Sequence, residues 1–230
     1  MRAVLCRPGR RRAALLGIVT AALLVAIAAA FSVGLSEALD RQALFALRRH
    51  AAPWLTGLML GVTLLGSWPV VAAGVLCFAW TNRRRPRHET VLLVTACIGA
   101  GILSLALKTV FQRPRPDLVP PLVAVGGFSF PSGHALLSLV FYGTLGHIVA
   151  CRVTSAWRSW LLRLAAGVMI VLVGVSRVYL GVHYFTDVLA GYVTAVAWVS
   201  AMAFVRAAAR RHGDPASGTS RVAGLGRGRG

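Results

Sequence analysis

Acidic residues are scarce in this chain of 230 residues: six Asp and Glu stand against 25 Lys and Arg, for a net charge of +19. Charge of either sign is thin, at 13% of residues, where a soluble domain carries roughly a quarter. That shortage excludes an ordinary water-facing globular surface. Lysine is almost missing, since Lys108 is the single one and the other 24 basic residues are arginine. Cysteine is confined to Cys6, Cys77, Cys97 and Cys151, with no CxxC pair and no zinc-ligand spacing. These four are expected to be unpaired apolar fillers. The positive charge has no long basic face and no nucleic-acid motif, so no nucleic-acid partner is expected. Internal repeats are also lacking.

Hydrophobic residues are plentiful, at 57%. Six apolar runs can be read, roughly residues 13–35, 54–80, 90–110, 132–150, 161–179 and 184–205. Most reach the ~20 residues that a helix needs to cross a bilayer core. The fifth is shortest between charges, bounded by Arg163 and Arg177, whose side chains can snorkel to the interface. Trp54 and Trp80 bracket the second run, and Trp157 and Trp160 precede the fifth, as an aromatic belt requires. The expected fold is all-α: a polytopic membrane helical bundle of six transmembrane helices.

Arginine sets the expected orientation. The N-terminus, the second-to-third loop, the fourth-to-fifth loop and the C-terminal end together hold 18 of the 25 basic residues. By the positive-inside tendency these segments, with both termini, are cytoplasmic. The expected organisation is a basic cytoplasmic N-terminus over 1–12, a six-helix membrane domain over 13–212, and a disordered Gly/Ser/Arg-rich tail over 213–230. The Arg-rich start and small residues near Ala28–Ala30 also fit a signal peptide. The apolar run is long for that role, so it reads as the first span.

Polar residues are costly in a bilayer protein unless they act. Three groups of them fall at the ends of runs on the side expected to face outward. The first group is Lys108 through Arg115-Pro116, where a lone lysine implies that a compact point charge was wanted. Arg113, in the same segment, reads either as part of the cation cluster or as a snorkelling side chain. The second group is Pro131-Ser132-Gly133-His134, a helix start with Ser132 as N-cap candidate. A helix start with glycine is a ready anion site. The third group is Ser176-Arg177 with His183 and Asp187. Four residues apart in a helix, His183 and Asp187 would share a face, and the carboxylate would hold the imidazole's tautomer. Lys108, Arg115 and Arg177 supply cations, His134 and His183 supply groups titrating near neutrality, and Asp187 supplies a carboxylate. That is a set suited to phosphoryl transfer. A His/His/Asp metal site is the rival chemistry, and three fixed cations disfavour a divalent ion there. No cofactor is expected.

These segments resemble the three-part signature of the type 2 phosphatidic acid phosphatases, relatives of bacterial acid phosphatases and vanadium haloperoxidases. Lys108 with Arg115-Pro116, Pro131-Ser132-Gly133-His134, and Ser176-Arg177 with His183 and Asp187 fill it in order. Six spans are similar to its membrane-bound lipid phosphatase branch. The resemblance implies that His183 attacks phosphorus, Asp187 orients it, and His134 protonates the leaving oxygen and then activates water. Lys108, Arg115, Arg177, Ser132 and Gly133 would bind phosphate, with Ser176 in support and no metal.

The expected function is therefore metal-independent hydrolysis of a lipid phosphate monoester or a polyprenyl diphosphate, through a phosphohistidine, at the outer face of the cell membrane. The expected partners are that lipid substrate and the bilayer. The alternative is a lipid phosphotransferase passing the same phosphoryl group to an alcohol or saccharide. A non-catalytic lipid-binding protein would be expected to lack part of this set. The Val119–Phe130 loop, with Pro120, Pro121, Gly126 and Gly127, is expected to cover the site.

Overall fold

The structure, a computed structural model, describes residues 9–212. Most of the expected basic N-terminus and all of the expected tail lie outside the described residues. Eight helices follow one another: α1 (Arg10–Ser32), α2 (Glu37–Arg48), α3 (Pro53–Leu64), α4 (Trp68–Thr81), α5 (His88–Phe111), α6 (Gly133–Arg152), α7 (Ala156–Tyr179) and α8 (Phe185–His212). No strand occurs among the described residues. Helices α1, α5, α6, α7 and α8 are long and apolar enough to cross a bilayer, and α3 with α4 makes a sixth span if the bent pair is taken as one. Ile18, Val25, Ile102, Leu105 and Val171 are among the large apolar side chains left exposed along the spans, which suits a surface whose solvent is lipid.

The second run is not one straight helix. It breaks between Leu64 and Trp68 with a bend of 50°. Pro69 in the first turn of α4 has no N–H to give and would clash with the carbonyl of Leu65 if the helix continued. The Leu65 carbonyl freed by the break accepts a hydrogen bond from the Tyr142 hydroxyl at 2.9 Å, so it is not left bare in the apolar layer. A Cβ on Gly66 would stand 2.5 Å from Val173 and 3.3 Å from the backbone oxygen of His134. Glycine here lets the break approach α6 and α7.

The first-to-second connection, expected as a loop, contains the α2 helix. Its buried side bears Asp40 and Leu44 one turn apart, while Arg41, Phe45 and Arg49 are exposed. Helix α1 lies along α8, and α6 packs on α7 and α8. Leu93, Ala96, Leu136, Val140 and Ala195 form the core between α5, α6 and α8. A Cβ on Gly191 of α8 would come within 2.7 Å of the Ser132 backbone oxygen, so this glycine sets how closely α8 meets the start of α6. Antiparallel packing of successive helices brings alternate ends together. The end of α5, the start of α6, the end of α7 and the start of α8 thus converge. Cys77 and Cys97 are free thiols. Cys151 is disulfide-bonded, which corrects the expectation for that residue.

Candidate active site

His183 lies in the turn between α7 and α8, not in the helix itself, which begins at Phe185. The expected helical face shared with Asp187 is therefore replaced by a helix-start geometry. Asp187 sits in the first turn of α8, and its Oδ2 accepts the backbone N–H of Tyr184 at 2.9 Å. This is one half of a capping box. The same oxygen is 3.6 Å from His183 Nδ1, too long for a direct hydrogen bond. Ser129 fills the gap. Its hydroxyl donates to Asp187 Oδ2 and stands 3.3 Å from His183 Nδ1. Having given its one proton to the carboxylate, Ser129 accepts from Nδ1–H. That tautomer leaves the lone pair on Nε2. Burial lowers the His183 pKa to about 4; Asp187 works against this, and Arg177 and Arg115 reinforce it. The imidazole is neutral at physiological pH.

The cations gather around this histidine. Arg115 NH1 is 3.5 Å from His183 Nε2 and donates to the Val182 carbonyl at 2.7 Å. Its other nitrogens donate to the carbonyls of Gly127 at 3.0 Å and Gly126 at 2.8 Å. Burial lowers the Arg115 pKa, and Asp187 partly offsets it. Lys108, near the end of α5, donates to the Phe128 carbonyl. The loop expected to cover the site thus lays its backbone oxygens on two of the cations. It is anchored by Leu122 N–H on the Leu180 carbonyl at 2.9 Å and Ser129 N–H on the Arg113 carbonyl at 2.8 Å. Arg177, near the end of α7, donates to Thr63 Oγ1 at 2.7 Å, which the bend of the second run brings within reach.

Ser132 holds the N-cap position of α6 but makes no side-chain cap bond, contrary to its expected capping role. Ser132 Oγ and Arg177 Nε are two of four buried side-chain polar atoms without a partner among the described residues. Buried polar atoms are nearly always paired, so two unpaired atoms on expected phosphate-binding residues mark a polar site. A Cβ on Gly133 would meet Ser104 Oγ at 3.1 Å. His134 follows in the first turn of α6, within electrostatic reach of Arg177, His183, Arg115 and Lys108. Ser176 spends its proton on the Val173 carbonyl of its own helix at 2.6 Å, so it is not gathered into this group.

Sequence reasoning missed Ser129, Thr63, Asp40 and Thr186, and left Arg113 ambiguous. Arg113 does not snorkel. It is buried, 8% exposed, and bridges Asp187 Oδ1 at 2.7 Å and Asp40 Oδ2 at 2.8 Å. The scarcity of acidic residues was a usable signal for Asp40, whereas Asp187 was marked by its place within an apolar run. A hydroxyl at position 63 or 129 carries no such signal.

A family model described as the PAP2 superfamily matches residues 89–211, which spans the end of α5 and the starts of α6 and α8. The chain belongs to the PAP2 superfamily. Phosphatidylglycerophosphatase B of Bacillus subtilis (strain 168) is 34% identical over 148 residues, covering 61% of this chain and 70% of that relative. The undecaprenyl-diphosphatase of Sulfolobus acidocaldarius is 32% identical over 154 residues, covering 64% and 68%. Among solved structures, the transmembrane PAP2 type phosphatidylglycerolphosphate phosphatase from Bacillus subtilis superposes with a TM-score of 0.75 at 28% identity, over 86% of this chain and 96% of that one. The Aquifex aeolicus LpxE structure shares the fold, with a TM-score of 0.58 at 21% identity, over 73% of this chain and 95% of that one. This PAP2 protein is a multi-pass membrane protein and a lipid phosphatase.

Proposed function

We propose that this PAP2 protein hydrolyses a lipid phosphate monoester or a polyprenyl diphosphate at the outer membrane face, through a phosphohistidine on His183 and without metal. The observation that carries this reading is the pairing of unpartnered donors with a prepared nucleophile. Ser132 Oγ and Arg177 Nε are buried and unpaired among the described residues, and the Ser129–Asp187 pair turns the His183 lone pair to Nε2.

In this mechanism the phosphoryl group sits among Lys108, Arg115, Arg177, Ser132 and the Gly133 backbone. Its oxygens replace the carbonyls of residues 126–128 on Lys108 and Arg115. The His183 Nε2 lone pair forms the N–P bond as the bond from phosphorus to the leaving oxygen breaks. His134 gives that oxygen a proton. Asp187 stabilises the positive charge developing on the His183 ring, and the cations stabilise the equatorial oxygens. Water then attacks phosphorus, His134 takes its proton, and the N–P bond breaks to release phosphate. Three fixed cations do the neutralising that a metal would otherwise do.

The lipid nature of the substrate draws on the relatives, one named for a phosphatidylglycerol phosphate and one for a polyprenyl diphosphate. The outward side rests on the arginine distribution, and the functional unit is the membrane domain over 13–212. Transfer to an alcohol or saccharide gains no support from those relatives. The test is phosphate release by detergent-purified protein, with EDTA, from phosphatidic acid, phosphatidylglycerol phosphate and undecaprenyl diphosphate. Release that survives EDTA and disappears in His183→Ala is expected. A metal requirement, or substantial turnover by His183→Ala, would overturn the reading.

A further inference from the structure

Beneath the catalytic pair runs a second charge system that the proposed mechanism does not use. Asp40, on α2, is 1% exposed. It lies outside the 89–211 stretch matched by the family. Its Oδ2 accepts from Arg113 NH2 at 2.8 Å, from the Thr186 hydroxyl at 2.7 Å and from the Ser36 hydroxyl at 3.3 Å. Its Oδ1 accepts the Thr186 backbone N–H at 2.9 Å. Arg113 NH1 in turn donates to Thr186 Oγ1 at 2.8 Å and to Asp187 Oδ1 at 2.7 Å. The guanidinium carbon of Arg113 lies 4.7 Å from the Phe31 ring centroid and 4.2 Å from that of Tyr184.

We propose that Asp40 is a positioning residue for catalysis: it neutralises Arg113 so that Asp187, oriented by that same arginine, keeps its negative charge available to His183. The inference rests on the reading of His183 as nucleophile. A single arginine bonded to a buried Asp187 would cancel most of the carboxylate's field. With Asp40 on its other nitrogen, Arg113 orients Oδ1 and leaves Oδ2 to Ser129 and His183. The arrangement is Asp40⁻–Arg113⁺–Asp187⁻, with a net formal charge of −1 over the three groups. Asp40 arrives from α2, so one residue of the helix that follows the first span reaches beneath the site.

The groups around the pair are known. His183 faces Asp187, Arg177 and Arg115, with His134 near; Asp187 faces Arg113, Ser129 and His183, with Arg115, Lys108 and Tyr184 within electrostatic reach; Asp40 faces Arg113, Thr186 and Ser36, with Tyr184 within reach. Asp40→Asn removes charge at nearly constant shape. It should lower kcat by about tenfold or more with KM little changed, and it should move the acid limb assigned to His183 to lower pH. Asp40→Glu should recover part of the rate. The double variant Asp40→Asn/Arg113→Gln, which restores the charge balance, should exceed Asp40→Asn alone. Glu37→Gln, an exposed carboxylate on the same helix, should behave as wild type. The measurements are steady-state kinetics and pH profiles in detergent on folded, size-exclusion-purified protein, with His183→Ala in parallel. A normal kcat in Asp40→Asn, or a double variant no better than the single, would overturn the inference while an inactive His183→Ala leaves the nucleophile reading intact. An active His183→Ala would remove the reading beneath both.

Discussion

Thr63→Val probes the contact that α3 makes with Arg177, one of the proposed phosphate-binding residues. Thr63 Oγ1 accepts from Arg177 NH1 at 2.7 Å, and the two residues are 7% and 4% exposed. Valine keeps the shape and removes the acceptor. Arg177 Nε already lacks a partner among the described residues, so the variant would leave the guanidinium less fixed. A hydrogen bond to a charged group contributes roughly 1.5–3 kcal/mol. At about 1.4 kcal/mol per tenfold, kcat/KM should fall by roughly tenfold to 150-fold. Phosphate release from phosphatidylglycerol phosphate or undecaprenyl diphosphate, whichever is turned over, gives the number. The effect should vanish in an Arg177→Ala background, since a double-mutant cycle isolates the pair. A kcat/KM within threefold of wild type, with normal thermal unfolding, would refute the claim that Thr63 positions Arg177. So would an equal loss in both backgrounds.

Three further outcomes are expected. Lys108→Arg should cost at least about tenfold in kcat/KM, because a planar fork cannot replace the compact ammonium lodged against the Phe128 carbonyl; a fully active variant would show that only charge matters there. His183 is neutral in the fold down to about pH 4, whereas the unfolded chain protonates it near 6.5. Stability is therefore unaffected above 6.5 and falls as pH drops from 6.5 towards 4, by roughly 3 kcal/mol in all. His183→Gln should lose less stability over that window in thermal unfolding, and an identical loss would contradict the burial argument. Asp117→Cys, at an exposed position just before the covering loop, should react with a membrane-impermeant maleimide in intact cells; labelling that needs permeabilised cells would reverse the proposed orientation.

The sequence alone determined the broad architecture. Apolar runs of bilayer length report directly on helices whose backbone must satisfy itself, and the last residues of α5, α6 and α7 fall within about two residues of the ends of the runs that foretold them. It also marked Lys108, Arg115, Ser132, Gly133, His134, Arg177, His183 and Asp187 as exceptional. Charged and titratable groups at the ends of apolar runs are expensive and therefore conspicuous. What the chain order did not reveal was how those ends are wired. The break at Gly66–Pro69 depends on Val173 and Tyr142 from distant helices. The α2 helix owes its place to Leu44 in the core and to Asp40 beneath Arg113. Whether Arg113 reached for water or for a carboxylate could be decided only when Asp40 arrived from 73 residues away. Ser129 and Thr63 are ordinary hydroxyls in the sequence. Their roles come from the acceptor or donor the folded chain sets opposite them. Local pattern encodes which segments must leave water. Pairing inside the bundle is a property of long-range geometry, which no window of sequence contains.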